Sequence, residues 1–110
     1  MANRSPDLLP GTLDMLVLKT LTHAPNHGYG IARRIRQVSG EALTVGEGSL
    51  YPALQRLLVN GWVRAEWTAS DSGRKVRQYS ITAAGRKQLA RETSDFGFLM
   101  AAISRVMESA

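Results

Sequence analysis

The sequence predicts a mainly helical α+β fold, in which three helices are followed by a two-stranded β-hairpin and one long last helix. Two observations support this prediction. Apolar residues recur at helical spacing up to residue 60 and again after residue 82, and between these points they alternate with polar residues. A chain of 110 residues is long enough for one compact domain and too short for two separate cores.

The first two helices are predicted by their apolar spacing and by the residues that end them. The first helix is predicted over about residues 12–22, with apolar positions at Leu13, Leu16, Val17 and Leu21. Pro25 follows this helix, and residues 26–28 are expected to form a turn. Gly40 ends the second helix, which is expected to bury Ile31, Ile35 and Val38.

The third helix has the clearest apolar pattern. Its buried stripe is predicted to consist of Leu50, Ala53, Leu54, Leu57 and Leu58. Ser49 is a good N-cap, and Pro52 is tolerated in a first turn because its missing N–H has no intrahelical acceptor there. The helix is therefore expected to begin near Ser49, and Asn60 with Gly61 provides a left-handed stop.

After this stop the pattern becomes that of a β-hairpin. The first strand is expected to face inward with Val63, Ala65 and Trp67. Residues 69–73 are rich in turn-forming residues, and a second strand over residues 76–81 is expected to bury Tyr79 and Ile81.

Composition limits the partners and the compartment. Lys and Arg number 14 against 9 Asp and Glu, which gives a net charge of +5 and indicates an anionic partner, most commonly nucleic acid. The chain has no cysteine, which excludes disulfides and cysteine-ligated metal sites. No apolar run approaches the roughly 20 residues of a membrane span, and the first residues lack the apolar stretch of a secretory signal. We expect a cytoplasmic protein with no membrane partner, no cofactor and no bound metal.

Three helices followed by a hairpin is the order of a winged helix-turn-helix, whose third helix enters the major groove of double-stranded DNA. Opposite the leucine stripe, Gln55 is suited to pair with adenine and Arg56 with guanine, whereas hydroxyls suit phosphates. Basic residues at the hairpin tip are suited to phosphates or to the minor groove. The predicted DNA contacts are Ser49, Tyr51, Pro52, Gln55 and Arg56 on the third helix, Arg34 on the second, and Arg74, Lys75 and Arg77 around the hairpin tip.

Each of these features also has a plainer interpretation. A polar helix face is usually solvated surface, and a basic hairpin tip keeps a strand edge soluble. We interpret Arg33 and Arg36 as surface residues, and Tyr51 as either a DNA contact or a residue at the edge of the core. The DNA interpretation is favoured because the basic residues lie on the two elements that this architecture presents to DNA.

Four segments of the chain resemble the PadR family of bacterial transcriptional regulators. They are LLPGTLDMLVLKTL, HGYGIARRI, VGEGSLYPALQRLLVNGWV and VRQYSITAAGRKQL, which together extend over nearly the whole chain. The resemblance implies a winged helix-turn-helix homodimer that represses promoters by binding inverted repeats.

The resemblance also implies roles for individual residues. Residues 27–30 open the second helix, residues 48–54 start the DNA-binding helix, and the wing is joined to the last helix by Tyr79, Ile81, Thr82 and Gly85. Leu58 departs from the family, which often has an acidic residue there, and it either deepens the core or exposes a contact patch. The chain has room for one C-terminal helix, as in the short members of the family.

The last helix is expected to form the dimer. Thr82 caps it, and a helix to about residue 107 is about 39 Å long at 1.5 Å per residue, longer than a winged-helix body of this size can cover. A second copy is the simplest surface to bury its apolar residues, through packing with the partner's first helix. The predicted dimer contacts are Leu13, Leu16, Phe96, Leu99, Met100, Ile103, Val106 and Met107. Residues 1–81 are then the DNA-binding part and residues 82–110 the dimerisation helix. The alternative to a dimer is that the last helix bends at Gly97 and folds back on the body of its own chain.

The resemblance further implies a small lipophilic or aromatic effector, which the sequence does not identify. Side chains able to line an apolar pocket are Trp62, Trp67, Phe96, Phe98, Met100 and Met107, although core or interface positions are favoured for them.

Other functional classes have less support. No catalytic residue is predicted, because His23 and His27 are separated by Pro25 and no nucleophile or paired-carboxylate motif is present. A winged helix that docks on a protein partner is the alternative to DNA binding, and Leu58 is its only indication. The aromatic strand signature of a common RNA-binding module is absent.

Overall fold

The computed structural model describes residues 8–110 and confirms the mainly helical α+β fold. Four helices and three strands follow one another in the order α1 (Pro10–His23), β1 (Asn26–His27), α2 (Gly28–Val38), α3 (Glu47–Val59), β2 (Val63–Ala69), β3 (Lys75–Ile81) and α4 (Ala83–Met107). The strands form one antiparallel sheet in the order β1-β3-β2. The hairpin of β2 and β3 is the wing.

The core lies between the helices and the inner face of the sheet. Its buried apolar residues are Leu13, Val17, Leu18, Leu21, Ile31, Ile35, Leu50, Ala53, Leu54, Leu57, Val63 and Tyr79. The helical spacing in the sequence is thus confirmed for three helices. The prediction that Val38 is buried is wrong, because Val38 is the last residue of α2 and extends past the core, with 65% of its surface exposed.

Instead of the turn expected at residues 26–28, the structure has the short strand β1 (Asn26–His27), which is followed directly by α2. Asn26 and His27 pair with Tyr79 and Gln78 of β3, which places the start of α2 beside the sheet. His27 caps α2, since its Nδ1 accepts a hydrogen bond of 3.1 Å from the N–H of Gly30. A Cβ at Gly30 would overlap the side chain of Asn26, so any other residue at this position would displace that side chain.

The third helix begins two residues before the predicted start. Its N-cap is Gly46, whose carbonyl accepts hydrogen bonds from the N–H groups of Ser49 and Leu50, so Ser49 lies inside the first turn. Pro52 is therefore beyond the first turn, and it lacks the N–H that would bond to the carbonyl of Gly48. Both residues are exposed, so water can satisfy that carbonyl.

The predicted stop after α3 is confirmed. Gly61 has a φ of +73°, and the N–H groups of Gly61 and Trp62 donate to the carbonyls of Leu58 and Leu57. This is the double hydrogen-bond pattern of a left-handed helix end. It turns the chain directly into β2.

The wing has an inner face that continues from the core and an outer face in solvent. On the inner face Val63 is opposite Ile81, Ala65 is opposite Tyr79 and Trp67 is opposite Arg77. Val63 and Tyr79 are buried, but Trp67 is 65% exposed. Trp67 lies on the inner face as predicted, but it is not buried. The hairpin extends past the body and leaves this part of the inner face uncovered.

The junction between the wing and α4 is held by hydrogen bonds of Thr82. Its hydroxyl accepts from the N–H of Gly85 at 3.0 Å and donates to the carbonyl of Gly61 at 2.7 Å. Its own N–H donates to the carbonyl of Trp62 at 3.0 Å, and a Cβ at Gly85 would overlap that same carbonyl. The predicted cap is confirmed, and the close approach of α4 to the end of α3 explains the glycine.

Helix α4 extends without a break through Gly97 for 25 residues, or about 37 Å. Its C-terminal half is exposed, so the alternative of a helix folded back on the body is wrong. The Cα radius of gyration is 15.5 Å, against about 13 Å expected for a compact chain of this length, because α4 projects from the body. No helix within residues 8–110 combines the length and apolar character that a membrane span requires.

Candidate nucleic-acid interface

One side of α3 is open to solvent over its whole length. Leu50, Ala53, Leu54 and Leu57 anchor the helix in the core, and Leu58 is half-buried against it. The exposed residues on the other side include Ser49, Tyr51, Pro52 and Gln55. Leu58 therefore deepens the core instead of forming a docking patch, and the polar side of α3 remains free.

Tyr51 joins the start of α3 to the start of α2. A Cβ at Gly28 would lie 3.1 Å from the Tyr51 hydroxyl oxygen, so the glycine leaves space for the phenol ring. About half of Tyr51 remains exposed. One edge of its ring contacts the body and the other edge is in solvent, so the position is compatible with both predicted roles, a DNA contact and a residue at the edge of the core. A cleft of about 210 Å³ lies beside it between the two helices, lined in part by Tyr29, Ala32 and Leu50.

Arg56 is turned away from the exposed side of α3. Its Nε and one terminal nitrogen donate to the two carboxylate oxygens of Asp14 on α1, at 3.2 and 2.8 Å. The Asp14 side chain is 10% exposed and that of Arg56 is 40% exposed. The hydrogen bond to Asp14 raises the pKa of Arg56, burial opposes this shift, and the negative charge of Asp14 adds to it. The guanidinium is therefore a fixed cation that links α3 to α1.

Asp14 was not predicted from the sequence as a functional residue. One feature of the sequence could have indicated its role. Asp14 follows Leu13 within the apolar pattern of α1, and an acidic side chain in such a position is rarely buried unless it has a partner. No spacing rule connects residue 14 to residue 56, because the pair forms only when the helices pack.

The arginines of α2 differ in exposure. Arg34 is half-buried, whereas Arg33 and Arg36 are exposed. Arg36 pairs with Glu41 at 3.2 Å, and both side chains are mostly in solvent, so this pair contributes little to stability. At the start of the helix, Tyr29 is exposed and its ring is parallel to that of His27, with 6.4 Å between centroids.

The tip of the wing is basic. Arg74, Lys75 and Arg77 are all exposed, and the Arg77 guanidinium carbon lies 5.9 Å from the centroid of the Tyr79 ring. Gly73, with a φ of +83°, makes the turn possible. The cations are therefore held on a two-stranded support that projects from the body.

The candidate dimer residues lie in two places. Leu13 is only 3% exposed within its own protomer, so its predicted role in the dimer is wrong. Leu16 lines an open groove of about 740 Å³ between α1 and α4, together with Met15, Leu89 and Phe96. The remaining residues are between 40% and 77% exposed, namely Phe96, Leu99, Met100, Ile103, Val106 and Met107, which we call the apolar stripe of α4.

The aromatic and methionine residues considered for an effector pocket are spread over the molecule. Trp62 packs on the core, Trp67 lies on the wing, and Phe98 is 76% exposed on α4. Of the six, only Phe96 lines the groove between α1 and α4. Residues 8–110 contain no group of three or more metal-binding side chains of the kind that holds an ion.

Comparisons with known proteins agree with this architecture. The model of the transcriptional regulator PadR-like family matches residues 17–91. An uncharacterized 37.1 kDa protein in transposon TN4556 of Streptomyces fradiae is 46% identical over 96 residues, which are 87% of this chain, and the chain spans 25% of the length of that relative.

Solved structures are similar over most of the chain. A PadR family transcriptional regulator from Eggerthella lenta has 26% identity and a TM-score of 0.77, with 91% of this chain and 85% of that chain covered. A transcriptional regulator from Clostridium thermocellum has 25% identity and a TM-score of 0.80, with 86% and 92% covered. The fold is that of a winged helix-turn-helix regulator, and the chain belongs to the PadR-like family of transcriptional regulators.

Proposed function

We propose that this chain binds double-stranded DNA as a homodimer and represses transcription from promoters that contain an inverted repeat. Helix α3 of each protomer enters the major groove, and the wing contacts the adjacent backbone or minor groove. The proposal depends on one observation above all. The side of α3 opposite its buried leucines is uncovered from Ser49 to Gln55.

Within this interface the residues of α3 have different tasks. Gln55 is exposed two turns into the helix and can form a bidentate pair with adenine. Ser49 and Tyr51 present hydroxyls that suit phosphates, while Pro52 makes a flat contact with the groove. Arg56 acts as a positioning residue, because its ion pair with Asp14 fixes the third turn of α3 against α1.

The wing supplies charge. Arg74, Lys75 and Arg77 are exposed, and none of the three forms a salt bridge within residues 8–110, so each can replace a counterion on a phosphate. Arg34 is half-buried on α2, the helix that crosses the backbone in this motif. These contacts bind without regard to sequence, and α3 provides the specificity.

A second copy completes the molecule. The apolar stripe of α4 is too large to remain in water, and the groove between α1 and α4 offers an apolar surface lined by Met15, Leu16 and Leu89. Residues 1–81 then form the DNA-binding part and residues 82–110 the dimerisation helix. A two-fold axis between the protomers would present both α3 helices to half-sites about one helical turn, or about 34 Å, apart.

The proposal is tested by selection of bound sequences from a random duplex library, followed by fluorescence anisotropy against salt concentration. We expect an enriched inverted repeat, with an affinity that falls steeply as salt rises. Lys75→Gln should lower the slope of log affinity against log salt by about 1, because one phosphate contact is lost.

Arg105→Gln provides the matched control. Arg105 is an exposed cation near the far end of α4, so its loss removes the same charge without removing a proposed contact. An affinity that does not depend on salt, or a library without enrichment, would contradict the proposal. Loss of reporter expression from a promoter that contains the selected repeat would distinguish repression from activation.

A further inference from the structure

Trp67 is a large apolar side chain without cover. It lies on β2 near the tip of the wing and is 65% exposed. Within residues 8–110 the indole has no hydrogen bond and no ring contact, and it is not part of the hydrophobic core. Tryptophan combines a large apolar ring with one hydrogen-bond donor, so an exposed tryptophan on a projecting hairpin is a candidate contact residue.

The two faces of the wing differ in chemistry. The strand register places Trp67 opposite Arg77 and Ala69 opposite Lys75, so all four share the inner face. The outer face at the same level has Glu66 opposite Gln78 and Thr68 opposite Val76. The exposed indole therefore shares its face of the wing with two basic residues, Lys75 and Arg77, whereas Glu66, the carboxylate of the same strand, is on the other face.

The position of Arg77 leaves the indole free. Its guanidinium lies over the ring of Tyr79, which is toward the body and away from the tip. The Nε1–H group of Trp67 remains available as a hydrogen-bond donor. This combination of a flat apolar face, one donor and two neighbouring cations fits a polyanion with apolar sugar surfaces.

We propose that Trp67 packs its indole against the sugar–phosphate wall of the DNA minor groove, with Lys75 and Arg77 on the flanking phosphates. This inference rests on the proposed function and adds an aromatic contact to it. Deoxyribose offers an apolar surface to the ring, and a phosphate oxygen can accept from Nε1–H. A second copy of this chain is a poor occupant, because it would bring an identical cationic face against this one, and the apolar stripe of α4 lies on another element.

Tryptophan fluorescence tests this contact directly, because the chain has two tryptophans. Trp62→Phe leaves Trp67 as the only indole, and Trp67→Phe leaves the partly buried Trp62. In free Trp62→Phe protein we expect strong quenching by acrylamide. Addition of the selected duplex should shift the emission and reduce this quenching by at least half, while the emission of Trp67→Phe protein should change little. If Trp62→Phe does not fold, the difference between the unmodified protein and Trp67→Phe gives the same signal.

Affinity provides the second measurement. Trp67→Ala should weaken binding to selected and random duplexes alike by about tenfold, a typical effect for removal of an aromatic–nucleotide contact. Thr68→Ala is the matched control, since it changes the next residue on the outer face, and it should bind as the unmodified protein does. Trp67→Gln keeps a long side chain and should resemble Trp67→Ala.

Failure of this inference is distinguishable from failure of the proposed function. If the protein binds the duplex while Trp67 stays accessible to acrylamide and Trp67→Ala binds normally, the aromatic contact is refuted and DNA binding stands. Protection of Trp67 before DNA is added would show that the protein itself covers the indole, and it would also refute the contact. If no duplex binds the unmodified protein, both proposals fail together.

Discussion

The ion pair between Arg56 and Asp14 allows a quantitative prediction about the position of α3. Arg56→Met keeps the length of the side chain and removes its charge, which leaves a carboxylate that is 10% exposed without its partner. Asp14→Asn keeps an acceptor and leaves Arg56, at 40% exposure, able to reach water. Arg56→Met therefore leaves the more buried group without a partner, and it should lower the free energy of unfolding more than Asp14→Asn does.

The expected magnitudes follow from burial. Breaking a fully buried pair by removal of one partner costs about 3–5 kcal/mol, and solvent at Arg56 reduces this value. We expect Arg56→Met to lower the free energy of unfolding by about 2 kcal/mol and Asp14→Asn by about 1 kcal/mol. The double variant should cost about 2 kcal/mol, which gives a coupling energy of about 1 kcal/mol, larger than the scatter of about 0.3–0.5 kcal/mol in such cycles.

The assay is urea unfolding followed by circular dichroism at one fixed protomer concentration, because the proposed dimer would make stability depend on concentration. The hydrogen bond to Asp14 raises the pKa of Arg56 from an already high value, so Arg56 keeps its charge under the conditions of DNA-binding measurements. Additive single and double variants, or a variant Arg56→Met as stable as the unmodified protein, would refute the reasoning.

The same variants separate a positioning role from contact with a base. If Arg56 only holds α3, Arg56→Met should weaken binding to every sequence by a similar factor. A change of preference at one base position, with unchanged stability, would return Arg56 to the groove.

Three further predictions concern other parts of the molecule. Gly85→Ala should lower the free energy of unfolding by about 2–3 kcal/mol, measured by thermal unfolding, since its Cβ would overlap the carbonyl of Trp62. Gly97→Ala in the same helix has open space and should raise the free energy of unfolding by up to about 1 kcal/mol. Equal effects would contradict the packing at the wing junction. Deletion of the chain after Phe96 should give monomers by light scattering, and a surviving dimer would remove the role of α4. Gln55→Ala should cost about 1–3 kcal/mol at one base position and little elsewhere, and a uniform loss would make Gln55 a phosphate contact.

Most of the fold could be predicted because it depends on local patterns. The leucines of α3, the stop at Gly61 and the cap at Thr82 each follow from spacing or from backbone chemistry within a few residues. The same is true of the exposed side of α3, since the positions left over by a buried stripe face solvent. Prediction was thus accurate for these features, but the start of α3 lies before Ser49 and Val38 is exposed, so a local pattern did not determine where the helices begin and end.

The rest depends on contacts between distant residues. Strand β1 exists because Asn26 lies beside Tyr79, 53 positions later, and two residues are too few for a recognisable strand pattern. Likewise Arg56 faces Asp14 because α1 crosses α3, and sequence spacing holds no record of that crossing. Trp67 has the correct parity for the inner face, but parity does not reveal where the body ends.

The hydrogen bonds of Thr82 connect the base of the wing directly to the first turn of α4. The Thr82 hydroxyl donates to the carbonyl of Gly61, just after α3, and accepts from the N–H of Gly85 in the first turn of α4. Strand β3 ends at Ile81, so it leads into Thr82 without a loop. A strand of 7 residues is about 23 Å long, so a rotation of about 5° at its base displaces the far end by about 2 Å. Such a displacement is enough to make or break a hydrogen bond, so in the proposed dimer the angle at which the two protomers cross would set the reach of both hairpins.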